Sequence, residues 1–437
     1  MLSNRQPGTV LVNRTFTVPL DHARPDAEQI EIFGREVVAS GAARQAGGAA
    51  SQPWLVYLQG GPGFGSPRPV GREAWLDRAL RDFRVLLLDQ RGTGRSTPAT
   101  RQTLARFPGA REQAEYLAHF RADSIVADAE LIRPQVTGGA PWAVLGQSFG
   151  GFCTVSYLSK SPGGLSEAFI TGGLPGLASQ ADDVYRLTYR KTAAKCAGHY
   201  DRYPQDIDVA RSLARLLISR AEAGTPALLP DGSLLTVERF QTLGQVLGSS
   251  SGSHRLHYLL EDALAGDELS DTFLQQAGSL LSYASAPLYA VVHEVCYAQG
   301  AATRWSAQRI RDEFPAFDAR AALESGAPVL FTGEMVYPWA FSCDPVLVPL
   351  AEAAEILAQR DDWPALYDAG QLRRNEVPAA AAVYFNDMYV PTELSVPTAV
   401  AIRGLKPWIT SEFEHDGLRA GDVLDRLMAL ARGDADR

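Results

Sequence analysis

The segment WAVLGQSFGGFCTVSYL sets Ser148 between Gly146 and Gly150, where an apolar run gives way to a helical pattern. A serine hydroxyl is a weak nucleophile unless a base takes its proton and fixed donors receive the charge that develops on the attacked carbonyl oxygen. Gly-x-Ser-x-Gly between a strand and a helix meets the first geometric requirement of acyl transfer. The tight turn holds the serine in a strained conformation at a helix N-terminus, with glycines where side chains would strike the neighbouring strand or helix. An ordinary capped turn gives the same five residues, and the flanking strand, the following helix and Gly151 favour the chemical reading.

Where this turn carries a nucleophile, its partners follow in the chain order serine, acid, histidine. Of the seven histidines, His22 and His119 precede Ser148, while His199, His254, His257 and His293 lie in a long helical region. This leaves His415, in EFEHDG, as the base. The acid is expected after the preceding strand, where VYFNDMYV offers Asp387, with Glu393 and Asp416 as rivals. Asp387 is preferred because it stands where an apolar strand turns polar, so that its carboxylate can hold the imidazole tautomer.

The developing oxyanion needs main-chain N–H groups, one from Phe149 directly after the serine and one from the Gly60–Gly61 segment of LVYLQGGPGFG. Glycines let that backbone approach a substrate, and Pro62 stiffens the turn. A second loop, LLLDQRGTGRSTP, also ends an apolar run. Its Asp89 and Arg91 are expected to form a local ion pair with a structural role. Neither loop has the glycine spacing of a dinucleotide site or a P-loop.

These residues need a sheet to carry them. Strand-like runs at 54–59, 84–89, 142–146 and 168–171 alternate with helical patterns such as 123–136 and 148–159. Such alternation indicates a mainly parallel sheet covered on both faces, an α/β class, with 8–18 and 30–40 as antiparallel edge strands. From about Leu174 amphipathic helical stretches take over, for example 209–222 and 237–246. Strand character then returns in AAAAVYFNDMYV and PWITSEFEHDG, before a last helix around 422–432. The expected organisation is a core in 1–173, a mostly helical insertion over 174–370 and the rest of the core in 371–437. Gly41–Ser51 is at most a short linker-like loop.

Composition narrows the function classes. With 437 residues, 46% of them apolar, the chain can bury a large core. A net charge of −9 without a clustered basic stretch argues against a nucleic-acid surface. The four cysteines are scattered, with no C-x-x-C pair and no zinc-finger spacing, so a reduced compartment and no metal are expected. No stretch approaches the roughly 18 consecutive apolar residues of a membrane span, and MLSNRQPGTVLVNRTF lacks the apolar stretch of a signal peptide. A cytoplasmic protein without membrane association is expected.

Taken together, QGGPGFG at 59–65, DQRGTGRS at 89–96, GQSFGG at 146–151 and the late NDMYV and EHDGLR segments resemble the proline iminopeptidases of the α/β-hydrolase superfamily, in particular their longer bacterial form with a large helical cap. The likeness runs in order from Trp54 to Arg419. Where that family usually has HGGPG, this chain begins with Gln59, which keeps the backbone donors and removes a histidine side chain. The resemblance implies release of N-terminal proline from peptides through an acyl-enzyme, without a cofactor. It implies Ser148 as nucleophile, Asp387 as acid, His415 as base, and the amides of Gly61 and Phe149 as oxyanion hole. It also implies glutamates of the cap as anchors for the substrate's terminal amine, which carry over to Glu294 in LYAVVHEVCYAQG and Glu334 in FTGEMVYPWAF. Two carboxylates there would explain refusal of a blocked amine. An aromatic slot for the proline ring is expected among Phe64, Phe149, Phe152, Tyr297, Tyr337 and Trp339. Other readings on the same scaffold are an esterase, a tripeptidyl aminopeptidase and a non-catalytic ligand-binding protein.

Overall fold

The computed structural model describes residues 3–41, 52–71 and 73–434. Apart from Gly41, the expected linker at 41–51 lies outside the described residues. Nine strands form one sheet: β1 (Ser3–Gln6), β2 (Thr9–Pro19), β3 (Gln29–Ala39), β4 (Trp54–Leu58), β5 (Arg84–Leu88), β6 (Trp142–Gln147), β7 (Leu165–Thr171), β8 (Ala379–Tyr384) and β9 (Leu405–Thr410). Their spatial order is β1-β2-β3-β5-β4-β6-β7-β8-β9. The first three are antiparallel to their neighbours, and β5 through β9 pair in parallel.

The strand sequences explain this layering. WLVYL in β4 and AAAAVY in β8 are buried at every position, as strands covered on both faces must be. One cover includes the helices Ala122–Thr137 and Phe149–Lys160, and the other includes Ala74–Asp82 and Val423–Arg432. Because the parallel strands share one direction, their carboxyl ends lie along one edge. The strand order reverses at β4, between β5 and β6, which opens a crevice at that edge. Gln59, Asp89, Ser148, Gly172, Asp387 and His415 all follow strand ends there.

Between β7 and β8 the chain leaves the sheet for a region of helices and turns, with one two-residue hairpin pairing Leu264–Ala265 to Glu268–Leu269. Part of this region has its own apolar core, built from residues such as Leu213, Phe240, Leu256, Phe273 and Phe331. Another part, including Leu288–Val292 and Leu350–Leu357, joins the cluster that contains Val56, Leu88 and Phe149. The helical region is therefore fastened to the sheet by burial as well as by its two chain connections.

The expected Asp89–Arg91 pair does not form. Asp89 is fully buried and accepts from Arg68 Nη1 and Nη2 at 2.8 and 2.6 Å and from the amides of Ser66 and Arg95 at 2.9 Å each. Arg91 runs instead to Asp128 on the helix Ala122–Thr137, at 2.8 and 2.6 Å, and to the carbonyls of Pro19, Leu20 and His119. A buried charge is tolerated only when its whole hydrogen-bonding capacity is met, and each of these groups meets it away from the other. Through Ser66, Asp89 still ties down the chain just after the glycine loop.

Candidate active site

The turn after β6 has the conformation that the sequence suggests. Ser148 sits at φ 56°, ψ −124°, a backbone state that costs a non-glycine residue roughly 1–3 kcal/mol. Its amide bonds Thr171 O at 3.0 Å and its carbonyl accepts from Gly151 at 2.7 Å, so neighbouring backbone holds the strain in place. A Cβ on Gly150 would overlap the Leu58 carbonyl at the end of β4, and one on Gly146 would overlap the Gly150 carbonyl. Only hydrogen atoms fit at these two positions. Phe149 opens the following helix, so its N–H lies outside the intrahelical ladder. Gly60 faces the serine closely enough that a Cβ there would stand 2.8 Å from Ser148 Cβ, which brings the 60–61 backbone beside Ser148.

The loops after β8 and β9 bring Asp387 and His415 together. Asp387 uses Oδ1 to accept the amides of Tyr389 and Val390 at 2.8 and 3.1 Å, and Oδ2 to accept Nδ1–H of His415 at 2.6 Å. The two rival acids are engaged elsewhere. Glu393 pairs with Lys191 at 3.1 Å, and Asp416 accepts from the amide and hydroxyl of Ser250 at 3.0 and 2.7 Å. The His415 amide bonds Gly248 O at 3.0 Å, and the Tyr389 ring stands edge-on to the imidazole at 4.9 Å. Burial disfavours a charged imidazole here, but Asp387, with help from Glu334 and Asp416, outweighs it and holds the His415 pKa above its ordinary value.

The two cap glutamates differ in what they touch. Glu334 is half-buried and accepts the Tyr289 hydroxyl at 3.2 Å. Burial pushes its pKa up to about 7, with a smaller push from Asp387, opposed by the charge of His415 and by the tyrosine bond. Glu294 is buried, and both of its oxygens accept main-chain amides at the start of the helix Ser306–Arg311: Oε1 from Ala307 at 2.7 Å and Oε2 from Ser306 at 3.0 Å. Burial again raises its pKa to about 7, against the lowering effect of these amides. Tyr297 is close enough to both for each charge to raise its phenol pKa, and its ring packs against Phe152 and Tyr185 at 6.0 Å.

Gln59 has a structural explanation. Its side-chain oxygen accepts the Tyr57 hydroxyl and its carbonyl accepts Gln90 Nε2, both at 2.9 Å, which pins the start of the glycine loop. The same loop meets the cap directly, since a Cβ on Gly63 would lie 2.5 Å from the Tyr289 amide nitrogen. Of the aromatic candidates, Phe152 and Tyr297 pack together near the glutamates, while Phe64, Tyr337 and Trp339 line a cavity of about 390 Å³ beyond them. Sequence reasoning missed Tyr289 and Tyr389. Both lie within segments it had singled out, LYAVVHEV and NDMYV, where a tyrosine beside a candidate charge was the available signal. Among the described residues no group of three or more His, Cys, Asp or Glu side chains is arranged to hold a metal ion.

Comparison with known proteins agrees with this architecture. Residues 53–230 match the model of the alpha/beta hydrolase fold. A proline iminopeptidase of Aeromonas sobria is 48% identical over 420 residues, covering 95% of both chains. One from Aspergillus aculeatus is 35% identical over 95% of this chain and 92% of its own, and a probable proline iminopeptidase of Streptomyces coelicolor is 35% identical over 28% of this chain and 33% of its own. The full-length likeness and the parallel sheet with its strained serine turn lead to one assignment: this chain belongs to the proline iminopeptidase family and has the α/β-hydrolase fold.

Proposed function

We propose that this protein is a serine aminopeptidase that releases N-terminal proline from peptides through an acyl-enzyme on Ser148. The observation that carries the reading is the 2.6 Å pairing of His415 Nδ1 with Asp387 at the same sheet edge as the strained serine. With Nδ1–H held by a carboxylate, Nε2 is free to take the Ser148 proton, and Asp387 stabilises the imidazolium that results. The amides of Gly61 and Phe149 receive the oxyanion, and the imidazolium then gives its proton to the departing peptide nitrogen. A water activated by the same imidazole frees proline.

Glu334 is the principal partner of the substrate's ammonium group, because its carboxylate has the neutral Tyr289 hydroxyl as its donor and lies close enough to His415 to help raise that histidine's pKa. Glu294 adds negative potential from behind Tyr297 while bonded to the helix amides. The cap in this reading spans 174–370, with core in 1–173 and 371–437. A cytoplasmic location is consistent with four buried, unpaired cysteines.

A fluorophosphonate probe should label Ser148 stoichiometrically, and prolyl arylamide should be cleaved while N-acetylprolyl arylamide is not. Absence of labelling removes the serine mechanism. Equal cleavage of the acetylated compound removes amine recognition.

A further inference from the structure

The cavity beyond the catalytic residues has a charge pattern that removal of one terminal residue does not require. Its lining includes Phe64 of the glycine loop, Tyr289, which bonds Glu334, Gly333 beside that glutamate, and Tyr389, which packs on His415. Its two charged lining residues are both cations, Arg239 and Arg255. Arg239 is buried and committed, to Asp344 at 3.0 Å and to the carbonyls of Leu234 and Leu281 at 3.1 and 3.2 Å. Arg255, on the helix Gly252–Glu261, is exposed, and among the described residues it has no ion-pair or side-chain hydrogen-bond partner. A free guanidinium therefore lines a cavity that also reaches Tyr289, the hydroxyl partner of the Glu334 carboxylate, in a chain whose net charge is −9.

A short unblocked peptide has the matching polarity, an ammonium at one end and a carboxylate at the other. We propose that Arg255 binds the C-terminal carboxylate of the substrate, so that short free-acid peptides with N-terminal proline are the preferred class. The proposal rests on the aminopeptidase reading above. Guanidinium matches carboxylate geometry in a bidentate manner. Because Arg255 meets water, its effect is several-fold rather than several hundred-fold, and salt weakens it.

The test uses the full chain and a series of prolyl peptides bearing one to four glycines, each as free acid and as C-terminal amide, alongside prolyl arylamide. At the best length, the acid should exceed the amide in kcat/KM by about fivefold at low salt, the advantage shrinking as salt is raised. Arg255→Ala should abolish that preference while leaving arylamide cleavage within about twofold, and Arg255→Lys should restore part of it. An acid-to-amide ratio near one at every length, or an equal ratio in wild type and Arg255→Ala, overturns the proposal. Arylamide turnover falling in Arg255→Ala as far as turnover of the acids overturns it too, since the arginine then acts on the fold. Wild type that cleaves arylamide but shows no acid preference defeats Arg255 alone. Failure to cleave arylamide defeats the aminopeptidase reading and this inference together.

Discussion

Two places in this molecule set a histidine–aspartate pair close to a serine. At the sheet edge they are Ser148, His415 and Asp387. In the helical region Ser253 Oγ lies 2.9 Å from His199 Nδ1, and His199 Nε2 lies 3.1 Å from Asp206 Oδ2. Access does not rule out the second set, because His199 and Ser253 line a cavity of about 290 Å³. Three other things do. Ser253 is an ordinary residue of the helix Gly252–Glu261, whereas Ser148 is held at positive φ with a glycine loop against it. Asp206 is shared with His257 Nδ1 at 2.9 Å, and His199 Nε2 approaches it without hydrogen-bond alignment, whereas Asp387 Oδ2 takes His415 Nδ1 at 2.6 Å. Burial lowers the His199 pKa despite Asp206, while Asp387 raises that of His415 despite burial. Chemistry at such a trio depends on a strained backbone, facing amide donors and a carboxylate reserved for one imidazole.

The largest effect that separates the two trios is at the serines. Ser148→Ala should lower kcat for prolyl arylamide by about a thousandfold or more, with the melting temperature nearly unchanged, and should abolish fluorophosphonate labelling. Labelling that persists in this variant, and disappears in Ser253→Ala, would reverse the assignment of the two sites. Asp387→Asn should cost on the order of a thousandfold in kcat, because an amide no longer enforces the tautomer with Nδ1–H. Asp206→Asn should leave kcat within about twofold, as expected of a group remote from the reacting atoms.

A smaller change is expected at the anchor. Glu334 must be ionised to hold an ammonium and His415 must be neutral to act as a base, so both make kcat/KM rise with pH. With Glu334 raised to about 7 and His415 above its ordinary value, the acid limb of the pH profile should be steeper than one proton. Glu334→Gln should lower kcat/KM by roughly 10- to 100-fold, the equivalent of one charge-assisted contact. It should also reduce that limb to a single ionisation at lower pH, since Glu334 helps to raise His415. An unchanged limb would remove Glu334 from the site. The smallest effect is Ser253→Ala, which should cost about 1 kcal/mol of stability in a denaturant titration, the worth of one hydrogen bond. Its turnover should match wild type.

Some of this was legible before the fold was known. Apolar runs ending in glycine foretold β4 and β6, and the order of the motifs foretold that several loops would meet at one edge. The helical texture after Leu174 was likewise a local pattern. The partner choices were less legible. Asp89 and Arg91 are two positions apart and opposite in charge, yet each pairs elsewhere, with Arg68 and with Asp128. Glu294 and Glu334 both entered as anchors implied by the family resemblance, Glu294 first, and packing gave Glu294 to a helix start and left Glu334 bonded to the Tyr289 hydroxyl. Nothing in the local sequence around His199 or Ser253 announced that they would meet across two helices.

By itself, the sequence determined the features set by short-range sterics. These are the strand-to-helix turn at Ser148 and the proline-stiffened QGGPGFG segment. Tertiary structure alone decided that Arg91 pairs with Asp128 instead of Asp89, which glutamate caps a helix start and where Gln59 makes its bonds. Backbone conformation is fixed by atoms a few residues away, whereas a buried side chain bonds to whatever the sheet register and helix packing bring within about 3 Å of it.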